Sequence, residues 1–388
     1  MKIAMQQSAY YPWIGGAEIF AQKVAEHLVR GGHEVDMITG LWDKPDIFTK
    51  SWNKKHENIN GVDIYRTKTV NIRNLKSLSC LFPIAYKTIK LDKKKDYDVI
   101  HSHIFPAMQS GTIVQKIRKK PHIITVQGGD LVDYEETTAK FGGILKPLIS
   151  LSLKNANIVH AVSTHTQKRA IELGAKNTIM IPNGVDIKEY KPMPKDKLRE
   201  KYGFSQDEQI IISTSRLTPK NGIDCLIKAV SVLKKPDIKL LILGDGDQRP
   251  ELKALIRDLK LEEIVKLLGY IPRKKVIEYL NIADVFAKPS IDEGFGISFI
   301  EAMACKIPII GTNVGGIPDI IKDGVNGFMV PPKNVDELSN VIINLLEDED
   351  LKKRVAEASY KTVKEKFSWE IVLKKIDKVY QSIWESHT

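Results

Sequence analysis

The chain is expected to fold as an α/β protein with two Rossmann-like, doubly wound parallel-sheet domains, and three observations carry that reading. Short apolar runs alternate with amphipathic helical patterns along most of the 388 residues, which is the rhythm of repeated β-α-β units. The rhythm breaks over residues 183–203, where Pro192, Pro194 and a mixed charge run collect, and then it restarts. The length exceeds what one hydrophobic core usually covers. A boundary near residue 190 follows, giving domains of residues 1–190 and 191–368, with the closing helix 369–388 free to cross back onto the first.

In the first half the expected strands are residues 2–6, 34–39, 62–66, 98–101, 122–126, 158–163 and 178–182. Residues 16–28 between the first two have the spacing of an amphipathic helix, entered through glycines and stopped by Gly31-Gly32. In the second half the runs are 209–215, 239–244, 265–269, 285–289, 307–312 and 327–330. Ligands of open parallel sheets sit outside the carboxyl ends of the strands, where loops and helix N-termini converge. The loops after strands are therefore where chemistry is expected.

Composition narrows the class. A hydrophobic content of 43% with 28% charged residues belongs to a folded protein rather than a disordered or fibrous one. The three cysteines, Cys80, Cys225 and Cys305, show no Cys-x-x-Cys spacing and are expected in the core. The N-terminus runs straight into a strand pattern without a secretory signal, and no run reaches the ~18 apolar residues of a membrane span. A cytoplasmic protein is expected, with attachment to the inner face of a membrane left open. Residues 1–190 carry 27 Lys+Arg against 18 Asp+Glu, which is +9 of the net +11. Such asymmetry suits an anionic partner, and equally suits lysine-rich solvated helix faces. Residues 72–95 and 141–154 combine leucines and isoleucines with lysines as interfacial helices do, although helices packed on a sheet read the same way. No nucleic-acid-binding module is present.

The segment richest in chemistry is 289–304, which follows a buried run and opens a helix. Gly294, Phe295, Gly296, Ile297 and Ser298 bring backbone amides and a positive dipole end to one place, with glycine allowing close approach, so a diphosphate would be seated there. Glu293 before the turn suits sugar hydroxyls, and Glu301 within the helix suits ribose hydroxyls, through charge-assisted hydrogen bonds.

Here the sequence resembles family 4 of the retaining glycosyltransferases, which carry a Glu-x7-Glu motif at this place. The resemblance extends in order through Gly15-Gly16-Ala17-Glu18, Asp98-Val99-Ile100-His101-Ser102-His103, Ile181-Pro182-Asn183-Gly184-Val185-Asp186, Ser215-Arg216-Leu217, Gly244-Asp245-Gly246, Leu268-Gly269-Tyr270 and Gly315-Gly316-Ile317-Pro318-Asp319. It implies the GT-B fold, two Rossmann-like domains facing across a cleft, and transfer of a hexose-type sugar from a UDP- or GDP-sugar to a hydroxyl acceptor: a glycan, a lipid or a small molecule. It implies Arg216 and a nearby lysine on the departing diphosphate, Gly16 closing over it, Gly244 and Glu301 among the donor contacts, and the nucleotide base near Gly269 and Tyr270. His103, Gln127 and Asn183 become candidate acceptor or sugar contacts. Fixed cations at the leaving group favour the transition state over the ground state, so no metal and no cofactor beyond the nucleotide sugar is expected.

The sequence departs from the family pattern twice. The usual lysine five residues after the arginine is Asn221, so the role falls to Lys220. The usual histidine is Gln127, which hydrogen-bonds but does not titrate, leaving the leaving phosphate itself to take the acceptor's proton. Asp130 reads as a positioning residue or as a turn former. His101 and His103 share a strand face but lack a third metal ligand, and Asp96-Tyr97-Asp98 precedes a strand instead of following one. No Gly-x-Gly-x-x-Gly follows the first strand, and no Gly-x4-Gly-Lys-Ser/Thr occurs. The rivals are a nucleotide-sugar epimerase of the same fold and a catalytically silent binding protein.

Overall fold

A computed structural model describes residues 1–11, 15–41, 54–69, 78–128 and 145–387. It divides into two compact units: residues 1–182 with 372–388, and residues 183–371.

The first unit contains β1 (Lys2–Gln7), α1 (Gly16–Arg30), β2 (Glu34–Leu41), β3 (His56–Ile59), β4 (Val62–Lys68), α2 (Leu81–Lys95), β5 (Val99–His103), α3 (Ala107–Arg118), β6 (His122–Val126), α4 (Leu145–Asn155), β7 (Ile158–Ala161), α5 (Thr164–Glu172) and β8 (Thr178–Met180). Among the described residues they build an eight-stranded sheet in the order β3-β4-β2-β1-β5-β6-β7-β8. Every pairing is parallel except β3 with β4. The edge strand β3 escapes the sequence reading because three of its four residues, His56, Glu57 and Asn58, are polar and none of the four is buried. Helix α1 stops where expected, with Gly31 as its C-cap.

Strands β5, β6 and β7 are buried along their whole length, as helices on both faces of a parallel sheet require. Yet they hold His101, Ser102, His103, His122, Thr125 and His160, each at most 1% exposed. Buried polar groups need partners, and two hydrogen-bond chains supply most of them, one on each face of the sheet.

On the first face the His160 Nε2–H donates to the Ile181 carbonyl at 2.7 Å. This leaves Nδ1 to accept from the Thr125 hydroxyl at 3.0 Å. The Thr125 oxygen then accepts from His101 Nε2–H at 2.7 Å, and His101 Nδ1 accepts from the Tyr380 hydroxyl at 2.5 Å. Because a carbonyl only accepts, the network assigns every tautomer along this chain.

On the other face His122 Nε2–H donates to Ser102 at 2.9 Å, and Ser102 donates to Gln6 Oε1 at 3.1 Å. Gln6 in turn donates to Thr88 of α2 at 2.7 Å. Gly111 lets α3 approach this chain, since a Cβ there would lie 2.1 Å from the Ser102 hydroxyl oxygen.

Tyr380 belongs to the closing helix, α13 by chain order, which spans Trp369–Glu385. Its residues from Val372 onward return to the first unit, where Asp377 also accepts from His27 at 2.9 Å.

The second unit comprises α6 (Lys195–Tyr202), β9 (Gln209–Thr214), α7 (Ile223–Leu233), β10 (Ile238–Leu243), α8 (Arg249–Asp258), β11 (Val265–Gly269), α9 (Arg273–Ile282), β12 (Val285–Ala287), α10 (Ile297–Ala304), β13 (Ile309–Thr312), β14 (Phe328–Val330), α11 (Val335–Glu347) and α12 (Glu349–Thr362). Its six-stranded sheet runs β11-β10-β9-β12-β13-β14, parallel throughout. The run expected over 285–289 ends at Ala287, just before Lys288 and Pro289; a proline has no N–H to give the ladder. Cys80, Cys225 and Cys305 are all buried, with no disulfide joining them. No helix among the described residues is long and apolar enough to cross a membrane.

Candidate functional site

In the second unit β9 has β10 on one side and β12 on the other, so the winding reverses between β9 and β12. Such a switch point opens a crevice at the carboxyl ends of the strands. Two loops rise there: residues 215–222 after β9, and residues 288–296 after β12. They are laced together, since the amides of Ile291 and Asp292 donate to the Lys220 carbonyl at 2.7 and 3.3 Å. Gly222 sits at φ +63°, and a Cβ on it would lie 2.1 Å from the Pro289 carbonyl oxygen. Only glycine permits that approach.

The first loop carries Arg216, exposed, and Lys220, half-buried. Next after Lys220, Asn221 is only 5% exposed, and its side-chain amide donates to the Arg216 carbonyl at 2.7 Å and to the Thr218 hydroxyl at 3.1 Å. Asn221 thus shapes the loop that presents the two cations. Asn221→Lys would remove one donor from that carbonyl, which keeps the Thr218 amide and the Ser215 hydroxyl, and would bury an ammonium group. It is expected to lower stability by about 2 kcal/mol and to weaken turnover, checked by thermal melting beside initial rates.

The second loop is held from below. The Gly316 amide donates to the Glu293 carbonyl at 2.9 Å, and a Cβ at Gly315 (φ +56°) would lie 1.9 Å from that oxygen. The Glu293 carboxylate pairs with the Lys288 ammonium, whose residue is 7% exposed. Sequence reasoning missed Lys288; the signal was a lysine closing the otherwise apolar Val285-Phe286-Ala287 run. Glu293→Ala would strand this buried ammonium. A loss of about 2 kcal/mol is expected, largely recovered in Glu293→Ala/Lys288→Met, and a double-mutant melting cycle checks it.

Gly296, at φ +102°, is the N-cap of α10. The first-turn amides of a helix have no acceptor within it, so Ile297 and Ser298 point donors out of the helix end beside Gly294. The Phe295 ring is buried against Phe367, centroids 5.9 Å apart, so this residue offers its backbone and not its ring.

Glu301, on α10, is half-buried. Burial raises its pKa, opposed by the Arg273 charge and by a hydrogen bond from the Tyr190 hydroxyl. Tyr190 is 1% exposed, and the Arg273 guanidinium lies 5.2 Å over its ring and 3.6 Å from Glu189. Neither Tyr190 nor Arg273 stood out in the sequence, because only the fold brings α9, α10 and the start of this unit together. Gly244 and Gly269 join the ends of β10 and β11 through a 2.8 Å hydrogen bond from the Gly244 amide to the Gly269 carbonyl. A Cβ at Gly244 would lie 1.9 Å from the Ser215 carbonyl oxygen, at the root of the Arg216 loop. Tyr270, beside Gly269, is 56% exposed. Asn183 is buried.

In the first unit the winding reverses between β1 and β5. Gly16 opens α1 after β1, and Gln127 follows β6 half-buried. His103, suggested by the sequence as an acceptor contact, is instead fully buried in this unit, its ring centroid 4.2 Å from that of His101 and 6.0 Å from that of Phe20. Asp130 lies outside the described residues. Among the described residues no three metal-ligating side chains come together. Asp96 caps α2 in the left-handed conformation, and Asp98 accepts from the Lys2 amide at 2.6 Å.

Two doubly wound units of this kind form the GT-B class of α/β enzymes. Sucrose-phosphate synthase from Thermosynechococcus elongatus superimposes with a TM-score of 0.84 at 22% identity over 99% of each chain, which speaks to fold alone. Anabaena HepE in complex with UDP does so with a TM-score of 0.81 at 25% identity, over 98% of this chain and 100% of that one. The family described as Glycosyltransferase Family 4 matches residues 14–189, and Glycosyl transferases group 1 matches residues 194–362. An uncharacterised glycosyltransferase of Methanocaldococcus jannaschii is 31% identical over 99% of both chains. N-acetyl-alpha-D-glucosaminyl L-malate synthase of Bacillus anthracis is 27% identical over 96% of this chain and 95% of its own. The chain belongs to glycosyltransferase family 4.

Proposed function

We propose that the protein is a retaining glycosyltransferase that moves a hexose-type sugar from a UDP- or GDP-sugar to a hydroxyl acceptor, without a metal. The observation that carries this reading is the pair of laced loops at the switch point of the second unit, which puts Arg216 and Lys220 on one loop and Glu293 with the α10 amide end on the other. In the reaction the bond from the anomeric carbon to the diphosphate oxygen breaks, and a bond to the acceptor oxygen forms on the same face. The acceptor's proton passes to the departing phosphate. Arg216, Lys220 and the amides of Gly294, Gly296, Ile297 and Ser298 stabilise the charge that develops there, where preorganised donors act most strongly. Glu293, oriented by Lys288, takes sugar hydroxyls, and Glu301, oriented by Tyr190 and Arg273, takes the ribose. Gly244, Gly269 and Tyr270 border the nucleotide.

For the acceptor we favour a lipid or lipid-linked glycan worked on at an anionic membrane surface. The excess of basic residues in the first half supports this, as does a relative named as a GDP-mannose-dependent phosphatidylinositol monomannoside mannosyltransferase of Corynebacterium glutamicum, 36% identical over 52% of this chain. The test measures nucleoside diphosphate release from UDP-, GDP- and ADP-sugars with a cell lipid extract, chelator present, beside Glu301→Ala. Extract-dependent release from one donor, absent in the variant, is the expected result. Thermal stabilisation by a nucleotide with no turnover for any donor would replace the transferase with a silent binding protein.

A further inference from the structure

Helices α2, α3 and α4 cover one face of the first sheet, with α3 packed between the other two. Between them opens a cavity of about 460 Å³ lined by Leu81, Phe82, Ile113, Leu145, Leu148 and Leu151 among others, within the size range of small-molecule sites. Its rim is apolar and open to solvent: Phe82 is 72% exposed, Leu148 41% and Leu151 45%, and Tyr86, one turn beyond Phe82 on α2, is 69% exposed. Apolar side chains grouped at a surface in this way mark a binding site more often than chance exposure does.

The charge around the cavity is one-sided. The three helices hold nine Lys or Arg and a single acid, Asp92. That acid is buried and bonded to Arg118 at 2.5 Å, so the three helices show solvent no carboxylate. Lys90 continues the Phe82–Tyr86 row along α2, Lys116 lines the cavity from α3, and Lys146 and Lys154 flank Leu148 and Leu151 on α4. An apolar slot with lysines on each of the three helices that form it is complementary to a hydrocarbon chain that ends in an anionic headgroup.

We propose that this groove docks a fatty-acyl chain of an anionic membrane lipid, the chain filling the cavity and the lysines meeting the headgroup layer. The inference deepens the membrane-surface part of the proposed function and rests on it, while standing apart from the donor chemistry. The full chain is floated with phosphatidylcholine vesicles, with and without phosphatidylglycerol, and extract-dependent nucleotide release is measured separately.

Binding is expected only with phosphatidylglycerol. It should fall about tenfold in Phe82→Ser/Leu148→Ser and become weaker with salt. Soluble dihexanoyl phosphatidylglycerol should compete, and glycerol phosphate should not. Lys116→Glu, at an exposed position, serves as the second variant if the first fails to fold, and should also weaken binding. Wild-type affinity in both variants, equal competition by glycerol phosphate, or capture of an acidic amphipathic peptide without vesicle binding would overturn the proposal. Vesicle binding intact with no extract-dependent nucleotide release from any donor would overturn the transferase reading instead.

Discussion

Arg216→Ala is expected to lower turnover by about 10²–10³-fold while leaving the thermal midpoint unchanged. The side chain is exposed, so its removal opens no cavity. The loop beneath it is held by groups the substitution leaves in place: the Asn221 amide on the Arg216 carbonyl, and the Lys220 carbonyl under the amides of Ile291 and Asp292. In the proposed reaction, what is lost is a cation at the place where diphosphate charge would develop, an interaction that would gain strength only as the glycosidic bond breaks. The deficit should therefore fall on kcat more than on KM. Steady-state rates of nucleotide release with the best donor would show it, and an unchanged kcat would remove Arg216 from the reacting centre. Arg216→Lys should recover part of the loss, because a single ammonium restores charge without the fork geometry.

Acidification from pH 7 to pH 5 is expected to lower the thermal midpoint by about 10 °C, through the buried histidines of the first unit. Burial is the first cause in each. It pushes His103 and His122 down to about 3 and His160 to about 4, and holds His101 well below its usual range. Repulsion from neighbouring rings adds to burial, from His103, His160 and His122 at His101 and from His160 at His103. An unfolded histidine titrates near 6.5. Below that pH the unfolded chain binds protons that the folded chain refuses, so stability is full above about 6.5 and falls steadily toward 4. With four such groups the slope is of order 4 kcal/mol per pH unit. Tyr380→Phe, which leaves His101 Nδ1 without its donor, should lower stability at pH 7 by about 1–2 kcal/mol and leave the acid slope in place. A flat midpoint between pH 7 and pH 5 would mean that these rings are not held neutral.

The fold class was legible because its signals are local. Apolar runs of strand length alternating with amphipathic helices imply a parallel sheet wherever they occur, and what was missed were strand ends and one edge strand. The run over 285–289 looked longer than β12 because Pro289 is apolar in composition yet cannot serve a ladder. Strand β3 was invisible because an edge strand buries too little to need apolar residues. Residue alternation placed His101 and His103 on one face, but what covers that face is a matter of packing: Tyr380 of the C-terminal helix meets His101 and Phe20 of α1 meets His103.

The sequence by itself determined the α/β architecture, the position of the Glu293-to-Glu301 segment at a strand-to-helix turn and the charge asymmetry of the first half, since each depends on residues near one another in the chain. The tertiary structure alone decided that Asn221 shapes the Arg216 loop, that Lys288 is the partner of Glu293, that Tyr190 and Arg273 hold Glu301, and that His103 is packed inside. Those outcomes depend on which loops share a sheet edge. Strand order sets that edge, and strand order is fixed by how the whole hydrophobic core closes rather than by any local stretch of chain.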